Sequence, residues 1–350
     1  MSDKITPGAK KLPDWDKLEF EFTETDNMFI ARTDSKLNWV DEGVRPFGLL
    51  QIPPAATALN YGQAIFEGMK ALRNPEGKVL LFRPEENAKR FRRSAARLEM
   101  PPYPVERFIQ AVQTLVRMEE RWVPPFNKGS LYIRPVMIGE GAVLGVAPSP
   151  SYIFYIFVSP VGAYRANKAG KAKKDSLMVQ DSTHRAALYS TGDLKAAGNY
   201  AGTLRSQKIA AQQGYKDVLY LDAKHDRYVE EVGSSNFFAI LKDGTLVTPR
   251  LLGSILPGIT RDSIITIARE LLGWKVVEKG IEIDEVLTTA SEAFFTGTAS
   301  VVQPITTINY KGVDYKIGEG STKKSKILRN RLIQIQTQQA DDPFGWVREV

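Results

Sequence analysis

The stretch STGDLKAAGNY, Ser190–Tyr200, places one lysine, Lys195, among small residues. Most lysines are solvated, and a plain loop lysine is one reading of it. The other reading is an amine that a flat ligand must approach closely, because Ala196, Ala197 and Gly198 leave the backbone uncovered. Such an amine can form an imine with an aldehyde. Tyr200 follows on the same stretch and could hydrogen-bond a ring hydroxyl of that ligand.

Two further stretches supply what an imine-forming lysine needs. In YVEEVGSSNFF, strand alternation sends Glu230 and Glu231 to opposite faces. The surrounding strand is apolar, and a buried carboxylate without a partner is expensive, so Glu231 is expected to meet a cation or an N–H. In LPGITR, Gly258 precedes a helical pattern, and the first-turn amides of Ile259 and Thr260 would point outward as an anion site. FTGTASVV adds Thr296, Thr298 and Ser300, and NAKRFRR adds the fixed charge of Arg90. A lysine, an acid for a ring nitrogen and an electropositive cradle are together what pyridoxal 5'-phosphate requires. Each has an ordinary alternative: an edge carboxylate, a helix start, a solvated basic helix face.

Composition removes most competitors. The chain of 350 residues has no cysteine and two histidines, His184 and His225. Thiolate chemistry and disulfides are excluded, no metal site is expected, and no G-x-S-x-G elbow supplies a serine nucleophile. The sequence GEGAVLG, residues 139–145, is one residue too long for a dinucleotide loop. No run approaches the ~20 apolar residues of a membrane span. The N-terminus lacks the apolar core of a secretory signal, which leaves the cytoplasm as the expected location. The net charge of +7 suits a small anionic substrate. It is also the one feature favouring a non-enzymatic binder of nucleic acid, although the basic residues are spread among acids and lack aromatic interleaving.

These residues must be carried by a mixed chain. EENAKRFRRSAARLEM and ERFIQAVQTLVRMEERW have apolar residues at helical spacing, as do residues 259–271 and the C-terminal KSKILRNRLIQIQTQQ. LEFEF, SLYIRPVMI, SYIFYIFVSP, DVLYLD, VEEVGSSNFFAIL and TLVTP read as strands. Strands and helices do not alternate strictly, so the fold class is α+β. The expected organisation is a mobile leader over 1–24, a small domain over 25–165, a basic linker over 166–178 and a larger domain over 179–350.

Six motifs occur in one order: YGQAIFEGMKA, SLYIRP, STGDLKAAGNYA, EEVGSSNFF, LPGITRDSI and FTGTASVVQPI. With them the chain resembles the branched-chain amino acid aminotransferases, fold-type IV enzymes dependent on pyridoxal phosphate, over about residues 25–338. The resemblance implies a smaller N-terminal α/β domain and a larger one with a barrel-like sheet, assembled as a homodimer. It implies that Lys195 carries the cofactor as a Schiff base and shuttles the proton, and that Glu231 pairs with the pyridine nitrogen and Tyr200 with the ring hydroxyl. Arg90, Ile259, Thr260 and Thr298 would hold the phosphate. Tyr61, Phe66, Tyr132, Arg134, Ser234 and the backbone near Ala299 would face the substrate. The implied reaction moves the amino group of leucine, isoleucine or valine reversibly to 2-oxoglutarate, as in branched-chain amino acid biosynthesis. Another fold-type IV enzyme, a D-amino acid aminotransferase or aminodeoxychorismate lyase, is the nearest alternative. Tyr189–Ser190 and Ser234–Ser235 depart from the family's usual Gly-Gly and Thr-Met, and Ser300 and Gln303 stand where animal relatives carry a redox cysteine pair.

Overall fold

The computed structural model describes residues 10–162, 175–180 and 182–350. Most of the basic linker and residues 1–9 of the leader lie outside the described residues. The chain divides into two compact units, Met1–Tyr164 with Gln336–Val350, and Arg165–Ile335.

The first unit opens with β1 (Asn27–Thr33) and β2 (Trp39–Pro46), followed by α1 (Thr57–Tyr61), β3 (Ala64–Phe66), β4 (Met69–Arg73) and β5 (Val79–Phe82). The two amphipathic patterns form α2 (Pro84–Arg97) and α3 (Val105–Met118), and the long apolar strands are β6 (Ser130–Gly139) and β7 (Tyr152–Val161). The sheet runs β5-β4-β6-β7-β1-β2, with β3 paired to β6 and a C-terminal strand, Val347–Glu349, added beside β5. Phe91 of α2 and Phe108 of α3 meet Phe154 of β7 at centroid distances of 5.3 and 5.8 Å, so the helical stripe covers the sheet. Each such ring contributes about 2–3 kcal/mol by leaving water.

The leader does not extend to residue 24. Lys10 Nζ lies 2.6 Å from Glu24 and 2.7 Å from the Thr25 carbonyl, and the Thr23 amide donates to Ser159 Oγ at 2.9 Å. LEFEF forms no strand. It is pinned by isolated bonds, such as Gly162 N–H to the Glu19 carbonyl at 3.1 Å, rather than by a ladder.

The second unit contains β8 (Ser176–Gln180), α4 (Gly198–Ala201), α5 (Leu204–Gln212), β9 (Asp217–Leu221), β10 (Val229–Val232), β11 (Ser235–Leu241) and β12 (Leu246–Pro249). After these come α6 (Ile259–Thr266), β13 (Val276–Lys279), α7 (Ile283–Thr289), β14 (Ala290–Gly297), β15 (Val301–Ile305), β16 (Thr307–Tyr310), β17 (Val313–Lys316) and α8 (Lys323–Gln336). The sheet order is β13-β12-β11-β10-β9-β8-β16-β17, and β14 joins β11 on a branch that continues into β15. Val229 N–H donates to the Ile281 carbonyl at 2.8 Å, which curls the sheet past its β12–β13 edge. The fold is α+β, with two sheets: the first antiparallel throughout, the second mixed, with parallel pairs β8–β9, β8–β16 and β12–β13.

Val229–Leu241, expected as one strand, is a hairpin. Gly233 at its turn has φ +50°, a conformation that favours glycine, and a Cβ there would lie 2.7 Å from Asp217 Oδ1. The hairpin sets Glu231 opposite Asn236. Asn236 is in turn opposite Thr296 of β14, and Thr296 opposite Val302 of β15. One row across four strands therefore collects an acid, an amide and a hydroxyl.

Candidate active site

Lys195 ends the irregular segment that precedes α4, flanked by the buried Leu194 and Ala196. The short helix brings Tyr200 back over it: Lys195 Nζ donates to Tyr200 Oη at 3.1 Å and lies 5.1 Å from the ring centroid. The segment is held by side chains rather than by a ladder. Asn199 Nδ2 donates to the carbonyls of Thr191 and Leu194 at 2.6 and 3.1 Å, and Thr191 Oγ1 donates to Asn199 Oδ1 at 2.7 Å.

Glu231 is 1% exposed. Its Oε1 accepts from Asn236 Nδ2 at 3.0 Å, and the same amide donates to the Leu256 carbonyl at 2.9 Å. Its Oε2 lies 2.6 Å from Nη1 of Arg185. That approach has the distance of an ion pair without the alignment of a hydrogen bond, so Oε2 is a buried acceptor with no hydrogen-bond donor. Burial pushes the carboxyl up to about 7, against the pull of Arg185 and, more weakly, of Lys195. Arg185 is itself buried, and its Nη1 donates to the carbonyls of Gly192 and Ser254, both at 3.2 Å. One guanidinium thus links the acid, the lysine segment and the loop before α6. Nothing in the sequence singled out Arg185, which sits in an irregular stretch with no period to read.

The cradle is present in parts. Gly258 caps α6 with extended backbone and no side-chain cap, so no side chain answers the first-turn amides of Ile259 and Thr260. A Cβ on Gly258 would lie 2.0 Å from Asn236 Oδ1, which ties the start of α6 to the amide that holds Glu231. Thr298 and Ala299 occupy the turn between β14 and β15, where Thr296 Oγ1 and Ser300 Oγ are buried without a hydrogen-bond partner. Val301 closes this turn at φ +60°, an unusual backbone for a β-branched residue. Ser234 is exposed at the hairpin turn.

The remaining expected residues lie in the first unit. β3 and β4 both pair with β6, which gathers Phe66, Tyr132 and Arg134. The Arg134 guanidinium is 4.9 Å from the Phe66 centroid and 5.2 Å from that of Tyr132, and its buried Nε lacks a hydrogen-bond partner. Gly68 leaves room for the Tyr132 hydroxyl, which would lie 2.1 Å from a Cβ at that position. Tyr61 is 43% exposed and donates instead to the Leu144 carbonyl. Arg90, expected on a phosphate, is gripped by Glu67: Nε and Nη2 donate to its two oxygens at 2.7 and 2.8 Å. Glu67 is fully buried and also accepts from Asn87 Nδ2 at 2.8 Å. It lies inside the FEGMKA motif, yet no pattern in that stretch signals its pairing with Arg90.

Known proteins resemble this chain along nearly its whole length. The family profile described as amino-transferase class IV matches residues 64–308. Branched-chain-amino-acid aminotransferase 5, chloroplastic, of Arabidopsis thaliana is 49% identical over 334 residues, covering 95% of this chain and 79% of the relative. Branched-chain-amino-acid transaminase 1 of Bacillus subtilis is 42% identical, covering 97% of this chain and 96% of the relative. The solved branched-chain amino acid aminotransferase from Escherichia coli superposes with a TM-score of 0.74 at 26% identity, covering 92% of this chain and 98% of that one.

Proposed function

This chain belongs to the class IV amino-transferase family, and we propose that it transfers the amino group of leucine, isoleucine or valine reversibly to 2-oxoglutarate, using pyridoxal 5'-phosphate held at Lys195. The observation that carries this reading is the buried Oε2 of Glu231, an acceptor in need of an N–H, in a row with Asn236 and Thr296. A protonated ring nitrogen fits that need, and the unanswered hydroxyls of Thr296 and Ser300 beside the Thr298 turn fit a phosphate.

Bound there, the cofactor supplies an aldehyde and an electron sink for the bond broken at the substrate's Cα. The protein's own groups do the rest. Glu231 accepts the ring N–H, and Arg185 favours its ionised form. Tyr200 steers the Lys195 amine through their hydrogen bond, so that the amine can carry a proton between neighbouring atoms. The amides of Ile259 and Thr260 and the Thr298 hydroxyl serve the phosphate, with Arg90 held rigid by Glu67 as its fixed charge. Phe66 and Tyr132 offer flat walls to an apolar side chain. Arg134, pinned over both rings with Nε unspent, meets a carboxylate. Ser234, Ala299 and Tyr61 complete the substrate side.

We place the working enzyme in the cytoplasm as a homodimer. The absence of cysteine suits a reducing compartment. Cell fractionation separates this address from the organelles named for the plant relatives, and light scattering reads the assembly. For the reaction, purified protein should be yellow, and Lys195→Ala should lose the imine absorbance. A panel of L- and D-amino donors with 2-oxoglutarate should show turnover on leucine, isoleucine and valine. Activity confined to D-alanine would replace this reading with a D-amino acid aminotransferase.

A further inference from the structure

Glu231 has a neighbour that the reaction does not use. Glu230 points to the other face of β10 and is 7% exposed. Its Oε1 accepts from Ser254 Oγ. On that face lies a cavity of about 630 Å³, lined entirely by the second unit, with Glu230 in its wall. The volume is in the range of small-molecule sites.

The lining has three kinds of surface. Leu188, Pro249, Leu252 and Ile255 make an apolar wall. Glu230 provides a largely desolvated carboxyl; burial pushes its pKa up, and a cationic partner would restore the charged form. Arg250 and Lys224 provide cations whose side chains have no hydrogen-bond or ion-pair partner among the described residues. The other charged groups in the wall are already engaged: Lys279 with Glu285 at 2.5 Å, and Asp222 with the His225 ring at 2.9 Å and the amides of Arg227 and Tyr228 at 3.1 and 2.8 Å. The unmet needs are an ammonium for a recessed carboxylate, a carboxylate for an exposed arginine–lysine pair, and an aliphatic body between them.

We propose that this cavity is a second ligand site, for a free zwitterionic amino acid with an aliphatic side chain. The α-ammonium sits on Glu230, the α-carboxylate on Arg250 and Lys224, and the side chain against Leu188, Leu252 and Ile255. The site is wired to the Lys195 machinery through a single residue. Ser254 donates its hydroxyl to Glu230 and offers its carbonyl to Arg185, which pairs with Glu231. Occupancy therefore acts on the loop that Arg185 fixes, which makes the site suited to sensing the amino-acid pool. The site itself stands whether or not the reaction proposed above is correct.

The test is equilibrium dialysis of labelled L-leucine against the holoenzyme, first cycled to its amine form and desalted so that no aldehyde remains to trap the amino acid. Binding should be weakened at least about tenfold by Arg250→Glu, and weakened also by Leu252→Trp, which crowds the apolar wall. Glu230→Gln, which keeps the shape, should also weaken it. Arg250 is exposed and Leu252 is 47% exposed, so both of these variants are expected to fold, with circular dichroism as the check. Their kcat/KM for leucine, measured well below saturation of the second site, should stay within about twofold of the unsubstituted enzyme. Absence of binding up to about 10 mM, binding unchanged in all three variants, or parallel loss of binding and kcat/KM in the two exposed-site variants would each overturn the proposal.

Discussion

Replacing Glu231 by glutamine in the cofactor-free protein removes a carboxyl whose ionisation opposes folding. An ordinary glutamate titrates near 4.5, and burial has pushed this one to about 7. At about 1.4 kcal/mol for each tenfold change in acidity, that displacement is worth about 3 kcal/mol. The folded value lies above the unfolded one. The folded state therefore holds the proton more tightly, and the stability this provides is complete below pH 4.5 and is lost as pH rises through about 7. Urea unfolding of the apoprotein at a series of pH values from 5 to 8 measures the effect. The stability of the Glu231→Gln variant relative to the parent should rise by about 2–3 kcal/mol across that range, the neutral amide being insensitive to pH. With cofactor bound, the sign of the substitution reverses: the ring N–H then faces an amide instead of a carboxylate, and kcat should fall about a hundredfold. Parallel pH–stability curves for the two apoproteins would refute the claim that Glu231 is held with an unmet acceptor inside the protein.

Arg185→Met should destabilise the apoprotein by about 3–5 kcal/mol at pH 8, where Glu231 is left ionised and buried, and by much less at pH 5; adding Glu231→Gln should recover most of the loss. Gly258→Ala drives a Cβ to within 2.0 Å of Asn236 Oδ1, so cofactor affinity, read by absorbance during dialysis, should fall tenfold or more at a cost of about 1–3 kcal/mol. Phe91→Ala removes a fully buried ring between α2 and the sheet and should lower unfolding free energy by about 3–5 kcal/mol, with the amino-donor preference of the surviving enzyme unchanged.

What could be read from the sequence was what repeats along it. Ala88, Phe91 and Ala95 recur at helical spacing and all face the core of the first unit. The apolar runs at 130–139 and 152–161 are the paired central strands. In the second unit, local geometry was legible where one short motif carried the whole of it, as with the Lys195–Tyr200 contact, or Gly258 and the start of α6. Contacts made between distant segments were not. Arg185 meets Glu231 because two loops and a hairpin converge, and Asn236 meets it because Gly233 turns the chain where an unbroken strand had been expected. Glu67 and Arg90 are each inside a recognised stretch, but their fork depends on how α2 lies against the strands, which neither stretch encodes alone. LEFEF alternates like a strand and is not one, because its neighbours offer it no ladder.

The strand Val347–Glu349 covers the outer edge of β5, and Val350 N–H donates to the Val79 carbonyl at 3.0 Å. The first unit is therefore sealed by residues that follow the whole of the second unit along the chain, so they leave the ribosome only after that unit has been made. Until then β5 presents bare amides and carbonyls, an invitation to stray pairing with other nascent chains. Trimming back to residue 340 leaves every residue of the proposed chemistry in place and takes away this cover, so such a protein should be limited by yield and clumping rather than by turnover.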